Sequence, residues 1–265
     1  MKQNYKTTNL AKGEVHVYDL NAAKLHAYQT NDPMNDEVLI LEKNGSAVVI
    51  EAPCFTDNIV ELTEYLNTLL IKIDAMLLSY HMAGGTFLPE VPVYATKVAD
   101  EYGHSGGGKM LVDNFTGAFG KAFDASLHTV TNTIEAGPLK LAGFDLNIVP
   151  TQDAFDIEIP ALGMVYMHML GHDCHSIVGG AEHADALISQ LKDLIERDFD
   201  FIMTSHYTPE NLKDAQEKVD YLEAVKTIAA SSPNAAAFKQ AIKKKYPNYT
   251  GENYLDMTTG LFFPS

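Results

Sequence analysis

The sequence predicts an α/β fold in which two β-sheets pack together and helices cover their outer sides. Three observations support this prediction: strand-like segments occur in groups, an amphipathic helix follows each group, and this order occurs twice along the chain. Layers of this kind give every apolar sheet face and every apolar helix stripe a partner that covers it. Because no linker separates the two halves, we expect residues 1–265 to form one domain with helix–sheet–sheet–helix layers.

The first half of the chain is predicted to contain a β-hairpin followed by helices and further strands. Asn44-Gly45 separates two apolar segments, and this dipeptide is a strong signal for a two-residue hairpin turn. A helix is predicted to begin at Thr56, because leucine and isoleucine recur at helical spacing after it. The segment Gly103–Gly137 shows no clear period and receives no assignment. The other predicted elements are strands at Val15–Tyr18, Leu25–Tyr28, Val38–Glu42, Ala47–Glu51, Ala75–Leu78 and Val93–Ala95, and a short helix at Lys97–Tyr102.

The second half repeats this order, with strands first and helices after them. The helix predicted at Ala184–Arg197 is strongly amphipathic, because its apolar residues recur every three or four positions. Two further helices are predicted at Asn211–Ala230 and Ala235–Lys245. The predicted strands of this half are Leu139–Leu141, Phe144–Val149, Phe155–Ile159, Gly163–Met169 and Phe201–Thr204.

The charge of the chain argues against nucleic acid or an anionic membrane as a partner. The formal net charge is −16 at pH 7, whereas binding to phosphate groups requires clustered lysine and arginine. The one basic run, Lys243–Lys245, falls near the end of a predicted helix, where cations complement the helix dipole. No apolar run reaches the roughly 18 residues that a membrane span requires. We therefore expect neither nucleic acid nor a membrane as a partner.

Cysteine content and the N-terminus favour a cytoplasmic protein. Cys54 and Cys174 are too few for a disulfide framework, and free thiols are typical of a reducing compartment. The segment Met1–Gly13 is polar and lacks the apolar core of a signal peptide. Cytoplasmic localisation is therefore the expectation.

An apolar strand that ends in Leu77-Leu78-Ser79 runs directly into the loop Tyr80–Gly85. This arrangement resembles the metallo-β-lactamase superfamily, in which such a strand runs into the zinc-binding motif H-x-H-x-D-H. Aligned on Leu-Leu-Ser, the four ligand positions hold Tyr80, Met82, Gly84 and Gly85. None of these residue types suits zinc, which takes thiolate, imidazole or carboxylate ligands.

Other landmarks of the resemblance follow along the chain. Val48–Glu51 resembles the family's strand that ends in an acidic residue, and Ala154 falls where the family places its next ligand histidine. A later strand resembles the one that ends in Gly-Asp, and here the glycine is followed by His172 and Asp173. His206 matches the last ligand histidine. Of the family's ligand positions, one is unchanged, one holds another possible donor, and the others hold residues that do not bind zinc.

The resemblance implies a four-layer αββα sandwich of the metallo-β-lactamase type and hydrolase ancestry. Because a catalytic zinc normally needs three protein ligands, we expect the dinuclear centre to be lost and no cofactor to be bound. The chain would then be a pseudoenzyme that binds a small molecule or a protein partner in the old active-site cleft. The candidate ligand-binding residues of this cleft are Tyr80, His81, Met82, Asp153 and Tyr207.

An active hydrolase is the first alternative. It would use one zinc or another divalent metal, or none, with His172 and His206 as candidate metal ligands. The candidate catalytic acid–base residues are His206, His172 and Asp173. His168 lies within an apolar strand and is expected to be a structural histidine.

A serine hydrolase is the second alternative, because Gly103–Gly107 matches the motif G-x-S-x-G with Ser105 as the nucleophile. The motif requires a strand before the serine and a helix after it. Here the preceding segment is predicted to be helical, and the glycines after Ser105 disfavour an immediate helix.

Overall fold

The computed structural model of the protein describes residues 5–168 and 171–264. The chain divides into two compact units, of which the first extends to Met169 and includes Met203–Pro209. The second unit comprises Leu170–Ile202 and Glu210–Ser265. The first residues of Met1–Gly13 and the end of the strand predicted at Gly163–Met169 lie outside the described residues. A single domain for the whole chain stays a prediction.

The first unit contains an eight-stranded sheet whose strands follow one another in chain order. Its strands are β1 (Tyr5–Asn9), β2 (Glu14–Asp19), β3 (Lys24–Gln29), β4 (Glu37–Lys43), β5 (Ser46–Ile50), β6 (Lys72–Leu77), β7 (Val93–Thr96) and β8 (Asn132–Ile134). Neighbours from β1 to β5 are antiparallel, and neighbours from β5 to β8 are parallel. Helix α1 (Thr56–Thr68) makes the crossover from β5 to β6 that a parallel pair requires.

The hairpin predicted at Asn44-Gly45 is confirmed and joins β4 to β5. Lys43 pairs with Ser46, so the loop has two residues, whose φ angles are 53° and 81°. A type I′ turn needs positive φ at both central residues, and asparagine and glycine tolerate it best. The two strands of this hairpin lie in the centre of the core, where Val38–Leu41 and Ala47–Ile50 are fully buried.

The second sheet has five strands in the order β13-β12-β11-β10-β9. These strands are β9 (Gly137–Leu141), β10 (Phe144–Pro150), β11 (Phe155–Ile159), β12 (Met164–Tyr166) and β13 (Phe201–Met203). Within the first unit, Ser79 joins the two sheets, because its Oγ donates to the Phe155 carbonyl at 2.5 Å and accepts from the Phe155 N–H at 3.1 Å. This contact holds the end of β6 against the start of β11.

Two helices follow β7, and the second of them corrects an expectation from the sequence. These helices are α2 (Lys97–Ser105) and α3 (Gly107–Phe119), so a helix does begin directly after the glycines that follow Ser105. The Tyr102 ring lies against Gly107 and Gly108, where an added Cβ would come within 3.0 Å and 2.8 Å of ring atoms. Glycine therefore permits this close approach, and the packing outweighs the low helix propensity of glycine.

The second unit is mainly helical. Its helices are α4 (Ala181–Glu196), α5 (Leu212–Ser231), α6 (Ala235–Lys245) and α7 (Glu252–Phe262). Asn211 and Asp214 form a capping box that begins α5, since each side chain accepts a backbone N–H of the other residue. The helix α6 has the bounds that the sequence predicts, whereas α7 was not predicted.

Among the described residues, no helix combines the length and the apolar character that crossing a membrane requires.

Buried His128 is expected to make the stability of the protein depend on pH. The side chain is 3% exposed, and burial lowers its pKa to about 4. Because this folded-state pKa lies below the ordinary value of 6.5, the free energy of unfolding has its full value above pH 6.5. It decreases as the pH falls towards 4, because the unfolded chain then binds a proton that the folded protein does not. Linkage predicts a loss of about 3 kcal/mol over this window.

The variant His128→Asn should lose that part of the pH dependence. The measurement is the free energy of unfolding in urea at several pH values between 7 and 4, for the wild type and the variant. His183→Asn is the control, because His183 is exposed. Parallel pH profiles for the wild type and His128→Asn would show that His128 does not cause the loss of stability at low pH.

Candidate functional site

Three histidines from distant parts of the sequence converge in the first unit. His81 lies in the loop after β6, His168 lies two residues after β12, and His206 lies three residues after β13. One ring nitrogen of each histidine lies within 4.8 Å of the corresponding nitrogens of the other two. The ring centroids are 5.3 Å apart for His81 and His168, 4.9 Å for His81 and His206, and 4.8 Å for His168 and His206.

The fully buried carboxylate of Glu51 fixes the loop that carries His81. Glu51 directly follows β5 and has a positive φ of 62°, which turns its side chain towards the end of β6. Its Oε1 accepts the backbone N–H groups of Ser79 at 3.3 Å and Tyr80 at 3.0 Å, and its Oε2 accepts that of His81 at 2.9 Å. Charge-assisted hydrogen bonds of this kind are stronger than neutral ones, so they hold the loop in place.

The same carboxylate orients His168 through two hydroxyl groups. The Tyr166 hydroxyl donates to Glu51 Oε1 at 2.5 Å and lies 2.5 Å from Ser205 Oγ, which in turn lies 2.8 Å from His168 Nδ1. The ring of His168 also stacks on Tyr80, with centroids 4.3 Å apart. Glu51 therefore positions two of the three histidines, one through the backbone and one through Tyr166 and Ser205.

The third histidine is held by an acidic partner. His206 Nδ1 lies 3.1 Å from Asp36 Oδ1, and the buried Asp36 carboxylate also accepts from Cys54 Sγ at 3.2 Å. Burial lowers the pKa of His206, but the hydrogen bond and the charge of Asp36 outweigh it, so the pKa is raised from its ordinary value. Burial raises the pKa of Asp36, but the charges of His81 and His206 outweigh it, so this carboxyl remains ionised.

His168 has the opposite electrostatic environment. Surrounding protein atoms displace solvent, and His206 and His81 oppose a further positive charge, so the pKa of His168 lies well below its ordinary value. The residue as a whole is nevertheless exposed. His168 is therefore a neutral imidazole in a residue that solvent reaches.

The donor set of this cluster fits one metal ion. Neutral imidazole is a common zinc ligand, and three histidines are one of the ligand sets of catalytic zinc sites. The Nδ1 atoms of His168 and His206 face Ser205 and Asp36, which is the usual role of outer-shell partners of metal-binding histidines. His81 Nδ1 is buried without a hydrogen-bond partner, and such an atom is costly unless something binds it.

A pocket in the first unit opens beside this cluster. His81 and Tyr80 form part of its wall, and most of the other residues are apolar. The pocket is lined by Met34, Cys54, Tyr80, His81, Met82, Ala83, Tyr102, Gly103, Gly108, Leu111, Val112, Phe115 and Phe123. The site therefore combines polar imidazoles with an adjoining apolar surface.

The candidate ligand-binding residues occupy different places in the first unit. Tyr80, His81 and Met82 line the pocket, and the Tyr80 hydroxyl lies 3.0 Å from Thr151 Oγ1. Asp153 is exposed, and its charge contributes to raising the pKa of Tyr80, although burial is the main cause. Tyr207 is half-buried, and its carbonyl accepts from the Thr204 hydroxyl at 2.8 Å.

Two of the aligned ligand positions hold glycine for a steric reason. Gly84 has a φ of +82°, and a Cβ there would lie 2.1 Å from the Pro53 carbonyl oxygen. At Gly85, a Cβ would lie 2.9 Å from the Leu127 carbonyl oxygen. A larger ligand residue at either position would clash with the backbone of this loop.

His172 and Asp173, two of the candidate catalytic residues, lie in the second unit. His172 Nδ1 lies 2.8 Å from Glu210 Oε1, and its Nε2 lies 3.8 Å from Asp214 and 3.9 Å from Glu217. These contacts raise the pKa of His172, with the Glu210 hydrogen bond as the main cause. Within its unit, His172 is therefore surrounded by carboxylates, and a joint role with His206 stays a prediction.

Ser105 does not occupy a nucleophile elbow. It lies in the last turn of α2, where its hydroxyl donates to the Glu101 carbonyl at 3.0 Å. A nucleophile elbow needs a strand before the serine, whereas a helix precedes it here.

Comparisons with known proteins identify the fold. No protein-family model matches the chain, and no curated protein matches it by sequence. Solved structures do match: a metallo-β-lactamase from Erythrobacter litoralis, with β-mercaptoethanol in its active site, has a TM-score of 0.56 at 15% identity. That match covers 83% of this chain and 100% of the other. The chain has the metallo-β-lactamase fold.

Two further structures support the same conclusion. A metallo-β-lactamase family protein from Thermus thermophilus has a TM-score of 0.62 at 13% identity, and the match covers 91% of each chain. The inverting sec-alkylsulfatase Pisa1 from Pseudomonas sp. has a TM-score of 0.60 at 13% identity, over 97% of this chain and 49% of that one. The αββα fold class that the sequence predicts is therefore confirmed.

Sequence reasoning missed three residues of the site. His168 was expected to be structural, whereas it lies beside His81 and His206. Asp36 and Glu51 were not recognised as groups that position these histidines. A signal existed for Glu51, because the metallo-β-lactamase strand that it matches ends in an acidic residue. Nothing in the sequence marks Asp36, because its role depends on a contact across 170 positions.

Proposed function

We propose that this chain is a hydrolase with one metal ion bound by His81, His168 and His206. The observation that carries the proposal is the convergence of three ring nitrogens within 4.8 Å. Their positions at the ends of β6, β12 and β13 are those at which sheet folds of this type place their functional loops. Zinc is one of the metals that imidazole ligands suit, and three histidines are a ligand set of catalytic zinc sites.

The residues around the cluster prepare it for this role. Nδ1 of His206 lies 3.1 Å from the Asp36 carboxylate, and Nδ1 of His168 contacts the Ser205 hydroxyl, so Nε2 of each ring remains for the ion. The ion would supply Lewis acidity that activates water and polarises the scissile bond. Glu51 fixes the loop of His81 and, through Tyr166 and Ser205, the ring of His168.

A binding protein without turnover is the second candidate. It is favoured by the residues at the aligned ligand positions, because Tyr80, Met82, Gly84, Gly85 and Ala154 leave too few donors for a dinuclear centre. His206 Nδ1 also lies 3.1 Å from the buried Asp36 carboxylate, so an opposite charge stands beside this histidine without a metal. In this case, the cleft would bind a small molecule or a protein partner, and no cofactor would be needed.

Zinc binding distinguishes the two candidates. The metal-free chain is expected to bind one zinc ion tightly at the three-histidine cluster, and the melting temperature should rise because only the folded state holds the site. His168→Ala should weaken this binding at least 100-fold. The measurements are calorimetric titration with Zn²⁺ and thermal unfolding with and without the ion.

The control variant is His172→Ala, which removes an imidazole from the separate group of carboxylates in the second unit. It should leave the tight zinc site unchanged. If zinc neither binds nor shifts the melting temperature, the binding protein is the correct description. If His172→Ala abolishes tight binding and His168→Ala does not, the ligands assigned here are wrong.

A further inference from the structure

The wall of the pocket beside the three-histidine cluster is mostly apolar. It contains no aspartate, glutamate, lysine or arginine among the described residues that line it. Val112 and Phe123 line the pocket, and they belong to an apolar cluster with Cys54, Phe55 and Ala83. This wall offers a ligand apolar contacts and few hydrogen bonds, so it favours an apolar group.

A group of packed phenylalanines supports one part of the pocket wall. The Phe123 ring lies 5.8 Å from that of Phe55 and 5.9 Å from that of Phe115, in edge-to-face geometries. Phe119 packs on Phe55 in the same way, with ring centroids 5.1 Å apart. Interlocked aromatic rings resist rearrangement, so a group that enters the pocket meets a preformed surface.

Glycines keep the pocket open. At Gly103, a Cβ would lie 2.2 Å from Cγ of Met82, which itself lines the pocket. At Gly108, a Cβ would meet the Tyr102 ring at 2.8 Å. Larger residues at these positions would force Met82 and Tyr102, which both line the pocket, to move.

The apolar surface continues to the protein exterior along α3. Leu111 lines the pocket and is 46% exposed. His81 and Tyr80, which belong to the candidate site, line the same pocket. A molecule in the pocket can thus contact both the His81 imidazole and the Leu111 side chain.

We propose that the pocket binds the aliphatic chain of an ester substrate whose carbonyl group lies at the three histidines. This assignment of substrate class rests on the hydrolase function proposed above. In the reaction, the oxygen of water bonds to the acyl carbon, the acyl–oxygen bond breaks, and the alcohol leaves with a proton. The chain of the acid half stays in the pocket until the product dissociates.

The test is a series of p-nitrophenyl esters with acyl chains of two to eight carbons, assayed with the zinc-loaded protein. The kcat/KM should rise about threefold for each added methylene until the pocket is full, because a buried methylene contributes a free energy of this order. Leu111→Gln, which has nearly the same size but is polar, should reduce the increase to less than about twofold per methylene.

Met110→Gln is the matched control, since Met110 is the neighbouring residue on α3, is 67% exposed and does not line the pocket. It should keep the chain-length dependence of the wild type. Hydrolysis that is independent of chain length would overturn the proposed pocket and leave the hydrolase intact.

A binding measurement separates the pocket from the activity. Binding of 1-hexanol, followed by ligand-observed NMR, should be weakened by Leu111→Gln and not by Met110→Gln, and 1,6-hexanediol should bind less than 1-hexanol. If this pattern holds while no ester is hydrolysed, the hydrolase fails and the aliphatic pocket stands. If 1-hexanol binds equally to wild type and Leu111→Gln, the pocket assignment is wrong.

Discussion

Glu51→Ala is expected to lower the free energy of unfolding by about 4 kcal/mol, because the change leaves several buried donors without an acceptor. These donors are the backbone N–H groups of Ser79, Tyr80 and His81 and the hydroxyl of Tyr166. Water cannot replace the carboxylate easily, since Glu51 is fully buried. Urea unfolding of the metal-free protein measures this loss directly.

Glu61→Ala is the matched control for this prediction. Glu61 also accepts two backbone N–H groups, from Lys12 and Gly13, and the hydroxyl of Tyr28. It is only half-buried, so water can take over its acceptor role, and a loss of about 1 kcal/mol is expected. Equal losses for the two variants would show that Glu51 is an ordinary acceptor and has no special part in building the site.

Glu51→Gln tests the positioning role separately from stability. Glutamine has the same shape, but it offers one acceptor oxygen and an NH₂ group that opposes the N–H donors. The variant should fold, with the loop of His81 and the ring of His168 less well fixed. Zinc affinity should therefore fall by about 10- to 100-fold, the usual effect of losing an outer-shell partner. Unchanged zinc affinity in a folded Glu51→Gln protein would remove Glu51 from the site.

The local elements of the fold could be predicted because their signals are local. The hairpin at Asn44-Gly45 depends on two residues that tolerate positive φ, and α6 depends on a short helical period between Asn234 and Lys245. The strand and helix order was sufficient to predict the fold class. Where the sequence analysis failed, at α3, the decisive contact was between the Tyr102 ring and two glycines of the next helix.

The site was harder to predict than the fold, because its residues meet only after folding. His168 has an apolar sequence context, since it follows a buried strand, and this context suggests a structural histidine. In the structure it lies two residues after the end of β12 at Tyr166, and its ring lies beside those of His81 and His206. His206 was recognised from its position after a strand, whereas its partner Asp36 comes from the loop before β4. Motif alignment identifies residues at the same sequence position as a family ligand. It misses residues that lie at the site in space but come from another strand or loop.

The alignment of the loop after β6 illustrates the same limit. Counting from Leu77-Leu78-Ser79 puts Tyr80 and Met82 at the first two ligand positions, and His81 between them. In the structure, Tyr80 stacks on His168 and Met82 lines the pocket, whereas His81 joins the other two imidazoles. The Glu51 carboxylate accepts the backbone N–H groups of both Tyr80 and His81. The conformation of the loop, and not the count from Leu77, therefore decides which side chain joins the other imidazoles.

For the hydrolase proposed above, substitution of any one of the three histidines should abolish most of the activity. For His81→Ala, His168→Ala and His206→Ala, kcat/KM towards the best ester of the acyl series should fall by at least two orders of magnitude, because two imidazoles do not make a catalytic zinc site. Double substitutions should cost little more than single ones, since residues that act as one unit are not additive. The measurement is the initial rate of ester hydrolysis with excess zinc. Circular dichroism verifies that each variant is folded.

Ser105→Ala is the control that separates this mechanism from a serine hydrolase. It should retain at least half of the wild-type rate, because the Ser105 hydroxyl is engaged with the Glu101 carbonyl at the end of α2. A fluorophosphonate probe should not label the protein. Labelling at Ser105, together with a near-total loss of the hydrolysis rate in Ser105→Ala, would show that Ser105 is the nucleophile and that the protein is a serine hydrolase. Hydrolysis that survives removal of each histidine would place the reacting groups elsewhere in the molecule, because no metal could then be held at the ends of β6, β12 and β13.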